Sequence, residues 1–396
     1  MENEKIFLYG KYLCHLVSCC INNKTPEQPF DGIDWNFFYR LAELHKATSL
    51  IYPVLCHLDI PQDIMSKFTY NNHRMIAREA RQEIEAKRIF GALEEQGIPF
   101  IKMKGIVMKN YYPMPYMRAQ ADVDLCMSEE DRNRCKTIMK DFGYEVFSED
   151  EIVDEYVKEK FFYYEMHSSV NSSTSDFKDI FCDPFSKTKP SDDNVGFVFT
   201  NEIFYLHLIT HLYKHLLVEG CGIKLFLDLY IFEKAHPDMD NDFIRKILSE
   251  HNIETFYDNV LSLIASLFSD EPFSEANKDI ATFIFKCGDH GSNLVRDLTR
   301  STTNKTKALS NRNKIHYILQ IYFPPARELK YRYPILEKAP VLLPFYWVKR
   351  GFSTLFLKNE ALKHQRKRIQ SFYSDDMQEA KNVYKLIGIN QDLRIH

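Results

Sequence analysis

Ala121-Asp122-Val123-Asp124-Leu125-Cys126-Met127 alternates with a period of two, the mark of a strand. On a strand, residues i and i+2 share a face. Asp122 and Asp124 therefore point the same way, with Cα atoms roughly 6.5–7 Å apart. Two carboxylates side by side repel unless something positive lies between them, and a divalent cation is the usual solution. Mg²⁺, or Mn²⁺ in its place, suits carboxylate and phosphate oxygens. A pair of such ions about 4 Å apart clamps the attacking and leaving oxygens in phosphoryl transfer. An edge strand with a charged outer face shows the same Asp-x-Asp, so the motif alone leaves both readings open.

The neighbouring residues extend the pattern in both directions. Upstream, Ile98–Met103 reads as a short apolar strand that Lys104-Gly105 breaks, and Ile106–Tyr112 reads as a short helix. A glycine at that helix start lets a phosphate approach backbone N–H groups, and Lys104 adds a cation. Arg118, four residues before Asp122, is placed to bind phosphate or steady the carboxylates, or is an ordinary surface arginine. Downstream, Ser128 with Asp131 three residues on predicts a capped helix running to Phe142, which Gly143 ends. Tyr144–Phe147 and the aromatic-rich Lys160–Met166 read as further strands. Glu165 on the last of these offers a third carboxylate, to hold metal or to accept a hydroxyl proton, or is a solvated strand residue.

These elements define a small core over 98–170. Residues 1–97 read as an N-terminal helical lobe. Asp34 caps a helix over Trp35–Ala47, and Pro61 starts a long helix that Gly97 stops. Residues 171–198, rich in Ser, Asp, Asn and Pro, read as a connector. From Thr200 the helical period returns, giving a C-terminal helical domain over 199–396. The expected class is α+β and mostly helical, a small mixed sheet flanked by N- and C-terminal helical lobes.

The ordered set Lys104-Gly105, Tyr112-Pro113, Arg118, Asp122-Val123-Asp124-Leu125 and Phe142-Gly143-Tyr144 resembles the uncharacterised nucleotidyltransferase family, within the polymerase-beta-like nucleotidyltransferase superfamily. Glu165-Met166-His167, then His207, His211 and His215, the Lys224–Leu229 stretch with Asp228, and Trp35 to Leu55 continue the likeness, which spans about 35 to 350. The resemblance implies a turn glycine at Gly105, nucleotide contacts at Lys104, Gly105 and Arg118, and Mg²⁺ or Mn²⁺ ligands at Asp122, Asp124 and Glu165. It implies NMP transfer from an NTP to an acceptor hydroxyl by a two-metal mechanism. Two positions depart from the superfamily pattern. Gly105 is followed by Ile106 rather than Ser or Gly, and the third carboxylate is Glu rather than the commoner Asp. The rival expectation is a catalytically weakened nucleotide-binding or protein-interaction module on the same fold.

Composition sets the outer limits. The 396 residues predict two or three domains or lobes. Lys and Arg total 51 against 55 Asp and Glu, a net charge of −4, which excludes a nucleic-acid coat. With 13 Gly and 16 Pro, the chain is neither collagenous nor a turn-rich all-β protein. Nine cysteines, an odd number without a CxxC pair, argue for a reducing compartment. The acidic start, Met1-Glu2-Asn3-Glu4-Lys5, lacks a signal-peptide pattern, and the apolar run Val341–Val348 is too short to span a bilayer, so a cytoplasmic location is expected. His207, His211 and His215 share one helix face, with i to i+8 about 12 Å apart, too far for one ion. The basic stretch 349–368 reads either as a solvated helix face or as a contact for an anionic surface. The acceptor, whether a small molecule, RNA or protein, is not written in the sequence.

Overall fold

In the computed structural model, the described residues are 2–159, 161–171, 175–218, 220–289, 339–347 and 375–389. The helices among them, in chain order, are α1 (Glu2–Asn22), α2 (Trp35–Leu44), α3 (Thr48–Ile51), α4 (Gln62–Glu95), α5 (Gly105–Met108) and α6 (Glu129–Asp141). They continue with α7 (Asn201–Val218), α8 (Ile223–Ala235), α9 (Asn241–Glu250), α10 (Glu254–Phe268), α11 (Glu275–Cys287) and α12 (Asp375–Ile387). The strands are β1 (Ile101–Lys102), β2 (Asp122–Cys126), β3 (Glu145–Glu149), β4 (Val153–Lys158), β5 (Phe162–His167), β6 (Thr188–Pro190) and β7 (Phe197–Phe199). The class is α+β, mostly helical, with one mixed sheet between helical segments on either side in sequence.

Local chemistry accounts for the boundaries. The Asp34 carboxylate accepts from the N–H groups of Asn36 and Phe37 and starts α2. The Ser128 hydroxyl accepts from the Asp131 N–H and starts α6. Pro61 precedes the long α4, and Gly97, at φ +61°, follows its end.

The sheet order is β3-β4-β5-β2-β1-β7-β6. At its centre β2 and β5 run parallel, with Asp122 opposite Tyr163, Asp124 opposite Glu165 and Cys126 opposite His167. Strands β3, β4 and β5 form an antiparallel meander, and β1 pairs antiparallel with β2. One face packs Val123, Leu125, Tyr156, Phe162, Tyr164 and Met166 on Ile89, Phe90 and Leu93 of α4 and on Cys135 and Met139 of α6. Each such large apolar side chain contributes roughly 1.5–3 kcal/mol when fully buried. This face fixes the register, and the register leaves Asp122, Asp124, Glu165 and His167 together on the opposite face.

Two parts of the sheet depart from the sequence expectation. Strand β4 was not anticipated, because the residue it sends inward beside Tyr156 is a carboxylate. Asp154 is 1% exposed and lies 3.6 Å from Arg132 and 3.7 Å from Lys136. A charged residue on the core face erases the apolar alternation that marks a strand. The stretch 171–198, expected as a connector, contributes β6 and most of β7. These are three-residue strands, too short to show a period, and they join the sheet where Ile101 pairs with Phe197. Gly196 closes their turn at φ +70°, and a Cβ there would meet the Phe100 ring at 2.6 Å.

By contacts the chain divides into two units. The first holds residues 1–217, 221–291 and 383–396, with Val383, Tyr384 and Ile387 of α12 buried and the Tyr384 hydroxyl donating to the Leu217 carbonyl at 3.3 Å. The second covers 218–220 and 292–382 and is described only in part. The basic stretch 349–368 lies outside the described residues.

Candidate functional site

The parallel register of β2 and β5 brings a donor cluster together. Ligand atoms of Asp124, Glu165 and His167 all lie within 4.8 Å of one another. The Lys104 ammonium donates to Asp124 Oδ1 at 2.5 Å. His167 Nε2 sits 3.3 Å from Asp124 Oδ1 and 3.2 Å from Glu165 Oε2. Both partners are acceptors, so that nitrogen carries the proton.

The charges divide unevenly over this face. Burial opposes ionisation of Asp124, but Lys104 and the His167 hydrogen bond outweigh it and hold the carboxyl well below the usual range. Among the described residues no such hydrogen-bonded partner holds Asp122, and Lys104 and Lys224 only partly offset what raises it. Burial, then the Asp124 charge, pushes it up to about 6. Burial pulls Lys104 down, yet Asp124, Glu165 and Asp122 together keep its ammonium above the ordinary value. Burial likewise opposes protonation of His167, and its bonds to Asp124 and Glu165 overcome that. The Lys104 ammonium and the His167 N–H thus both serve Asp124, and Asp122 is left with the least compensation.

The turn that presents Lys104 is strained. Its backbone lies at φ +47°, ψ −120°, a region that costs about 1–3 kcal/mol for a residue with a Cβ. Gly105 follows at the start of α5. A Cβ there would meet Arg118 Nη1 at 2.7 Å and the Gln120 side chain at 3.0 Å. The glycine is thus required by what packs behind the turn.

The structure brings Lys104, Asp122, Asp124 and Glu165 together and sets Arg118 apart from the carboxylates. Arg118 Nε and Nη2 donate to Asp228 Oδ1 and Oδ2 at 2.8 and 2.6 Å, and the Tyr112 hydroxyl donates to Oδ1 at 2.8 Å. Arg118 is 6% and Asp228 1% exposed. This buried fork fixes the segment before β2 to α8 and backs the Gly105 turn. The signal for it was a lone Asp in the apolar run Ile223-Lys224-Leu225-Phe226-Leu227-Asp228-Leu229: a charge there needs a buried partner.

Two nearby residues had no assigned role in the sequence reading. His167 was the last letter of a motif, yet its position two residues after Glu165 puts it on the same face. Arg78 of α4 stacks its guanidinium 4.8 Å from the Phe161 ring centre, and its Nε has no hydrogen-bond partner among the described residues. Burial and Arg74 lower its pKa, and the Asp122 charge partly restores it. Nothing in the charge-rich sequence of α4 distinguishes it.

His207 and His211 of α7 lie within the field of this face, both feeling the Lys104 charge. His207 feels the charges of Lys104, Asp124 and His167, and burial first of all pushes it down to about 3. Its ring packs on Phe181 and Phe199 at 5.5 and 6.0 Å. The His211 and His215 rings meet at 4.3 Å.

Comparison with known proteins adds the family. No curated protein matches the chain. A solved structure described as the antibiotic-resistance factor ANT(2'')-Ia aligns with a TM-score of 0.33 at 9% identity, over 48% of this chain and 99% of that one. The family described as "Uncharacterised nucleotidyltransferase" matches residues 31–269, which include every residue of the carboxylate face. The match spans more than half of the 396 residues, and the chain belongs to that nucleotidyltransferase family.

Proposed function

We propose that the chain transfers a nucleoside monophosphate from an NTP to an acceptor hydroxyl at the face bearing Asp122, Asp124 and Glu165. The observation that carries this reading is the β2–β5 register, which sets Asp124 beside Glu165 and Asp122 one step along the same face. Asp122, Asp124 and Glu165 would hold two Mg²⁺ or Mn²⁺ ions. They offer hard oxygen donors, and the poorly compensated carboxylate of Asp122 calls for a cation. When bound, the ions supply Lewis acidity and charge neutralisation at the reacting phosphate.

The chain's own residues do the rest. Lys104 offers an ammonium to the triphosphate. Arg118, tied to Asp228, acts on the nucleotide through the Gly105 turn that it supports. Glu165 takes the proton of the acceptor hydroxyl as that oxygen bonds to the α-phosphorus and the bond to pyrophosphate breaks.

One observation favours a second reading, a nucleotide-binding module with weakened catalysis. Lys104 and His167 already satisfy Asp124 Oδ1, so part of the carboxylate charge is neutralised from within. A thermal-shift panel of ATP, GTP, CTP and UTP, with and without Mg²⁺, tests both. A ligand at 100 times its Kd stabilises by about 2.7 kcal/mol. We expect a Mg²⁺-dependent shift that the Asp122→Asn/Asp124→Asn double variant loses, and release of pyrophosphate once an acceptor is supplied. Shifts that are equal in the two proteins place the nucleotide elsewhere and end the proposal.

A further inference from the structure

The carboxylate face continues past Glu165 into an aromatic step. Tyr163 lies two residues from Glu165 on the same face of β5 and directly opposite Asp122 on β2. The edge strand β3 breaks its register between Val146 and Ser148, where Phe147 is the extra residue. A bulge of this kind re-aims a side chain. Here it brings the Phe147 ring to 6.4 Å from the Tyr163 ring, nearly perpendicular to it, at 83°. Phe147 remains 61% exposed. A half-buried Glu155, opposite Glu165 on β4, lies on the same face.

An exposed aromatic on an edge strand is a liability that folds usually remove. This one buries little, so core packing does not explain it. It lies at the far side of a face that runs from Lys104 across Asp122 and Asp124 of β2, then Tyr163 and Glu165 of β5, to Phe147 at the β3 edge. The two ends differ in chemistry: an ammonium beside strand β1, and uncharged rings at the β3 edge. A triphosphate belongs at the first end and a ring at the second.

We propose that Phe147 and Tyr163 form an acceptor subsite, a platform on which the ring of a ring-bearing alcohol stacks while its hydroxyl faces Glu165. This rests on the assignment of the nucleotide to the Asp122–Asp124 centre. The occupant is the acceptor and not the nucleobase, because Tyr163 and Glu165, the residue assigned to take the hydroxyl proton, are successive residues on one face of β5, so a ring on the platform carries its hydroxyl beside that carboxylate.

The test uses the full chain with Mg²⁺ and the non-hydrolysable analogue α,β-methylene-ATP. Phenyl β-glucoside serves as the ring probe and glycerol as the ringless control, followed by saturation-transfer NMR. We expect saturation of the phenyl glucoside ring protons in the wild type and none for glycerol. In Phe147→Ala and Tyr163→Leu, phenyl glucoside affinity should fall about 3- to 10-fold, the range of an aromatic pair. The affinity for α,β-methylene-ATP should change less than about 2-fold. Phe147 is exposed, so its replacement should leave the melting temperature unchanged and separate binding from folding. Loss of the nucleotide analogue in Phe147→Ala would assign the platform to the nucleobase and overturn the proposal. So would absence of ring binding to the wild type, or ring binding indifferent to Phe147. Failure of α,β-methylene-ATP to bind the wild type at all would instead remove the nucleotide assignment on which the subsite depends.

Discussion

Asp122 and Asp124 are the same residue type, two positions apart on one strand, and their surroundings separate them. Asp124 is held ionised by Lys104 and His167. Asp122, raised to about 6, keeps its proton into mildly acidic solution. Between the ordinary aspartate value of 3.8 and about 6, the fold binds a proton at Asp122 that the unfolded chain has released. The contribution of this group to stability is therefore greatest at low pH and is lost as pH rises through that window. Mg²⁺ competes with that proton. Its apparent affinity, measured by isothermal titration, should weaken as pH falls from 7 to 5, and Asp122→Asn should flatten the profile. The carboxylate pair was legible in the sequence because a period of two is local. The difference between its members was not, because it is made by Lys104, twenty residues upstream, and by His167 on a strand that arrives later.

The elements show the same division between local and distant information. Caps at Asp34 and Ser128, the proline before α4 and the alternation of β2 were all readable, since each depends on a few consecutive residues. Strand β4 was hidden by the inward-facing Asp154, and β6 and β7 by their brevity. Arg118 is the clearest case of a distant determinant. Its partner lies 110 residues away on α8, so the sequence offered it as a phosphate ligand while the structure commits its guanidinium to Asp228. Removing one member of a buried pair leaves an uncompensated charge and costs about 3–5 kcal/mol. Arg118→Ala should lower the urea midpoint sharply. Replacing both Arg118 and Asp228 by apolar residues should restore much of the stability without restoring the Gly105 turn, as equilibrium unfolding and nucleotide titration of the two variants would show.

Across the whole molecule, acid should act through buried histidines before it reaches most carboxylates. His45 bonds through one ring nitrogen to the Phe285 carbonyl at 3.1 Å and accepts from the Ile223 N–H at 3.4 Å, joining the end of α2 to α8 and α11. Burial lowers it to about 4 and His207 to about 3. Both stay neutral in the fold, whereas the unfolded chain takes up protons below 6.5. Their stabilising contribution is complete above pH 6.5 and is lost as pH falls toward 4 and 3. For His45 alone the loss is on the order of 3 kcal/mol. The denaturant midpoint should drop between pH 6.5 and 4, and His207→Gln should reduce the slope. The family and the α+β class were legible at this scale, since both rest on an ordered set of short motifs. No helix among the described residues is long and apolar enough to cross a membrane.

The pairing of Ile101 with Phe197 has a consequence for how the chain is made. Translation delivers β1 to β5 before β7, so a nascent chain carries the carboxylate face while the β1 edge still lacks a neighbour. An unpaired edge of this kind recruits strands from other chains. Contacts this far apart in sequence also slow the final closure. Chains truncated near residue 175 should therefore need a chaperone to stay monomeric, and chains extended past α7 should not.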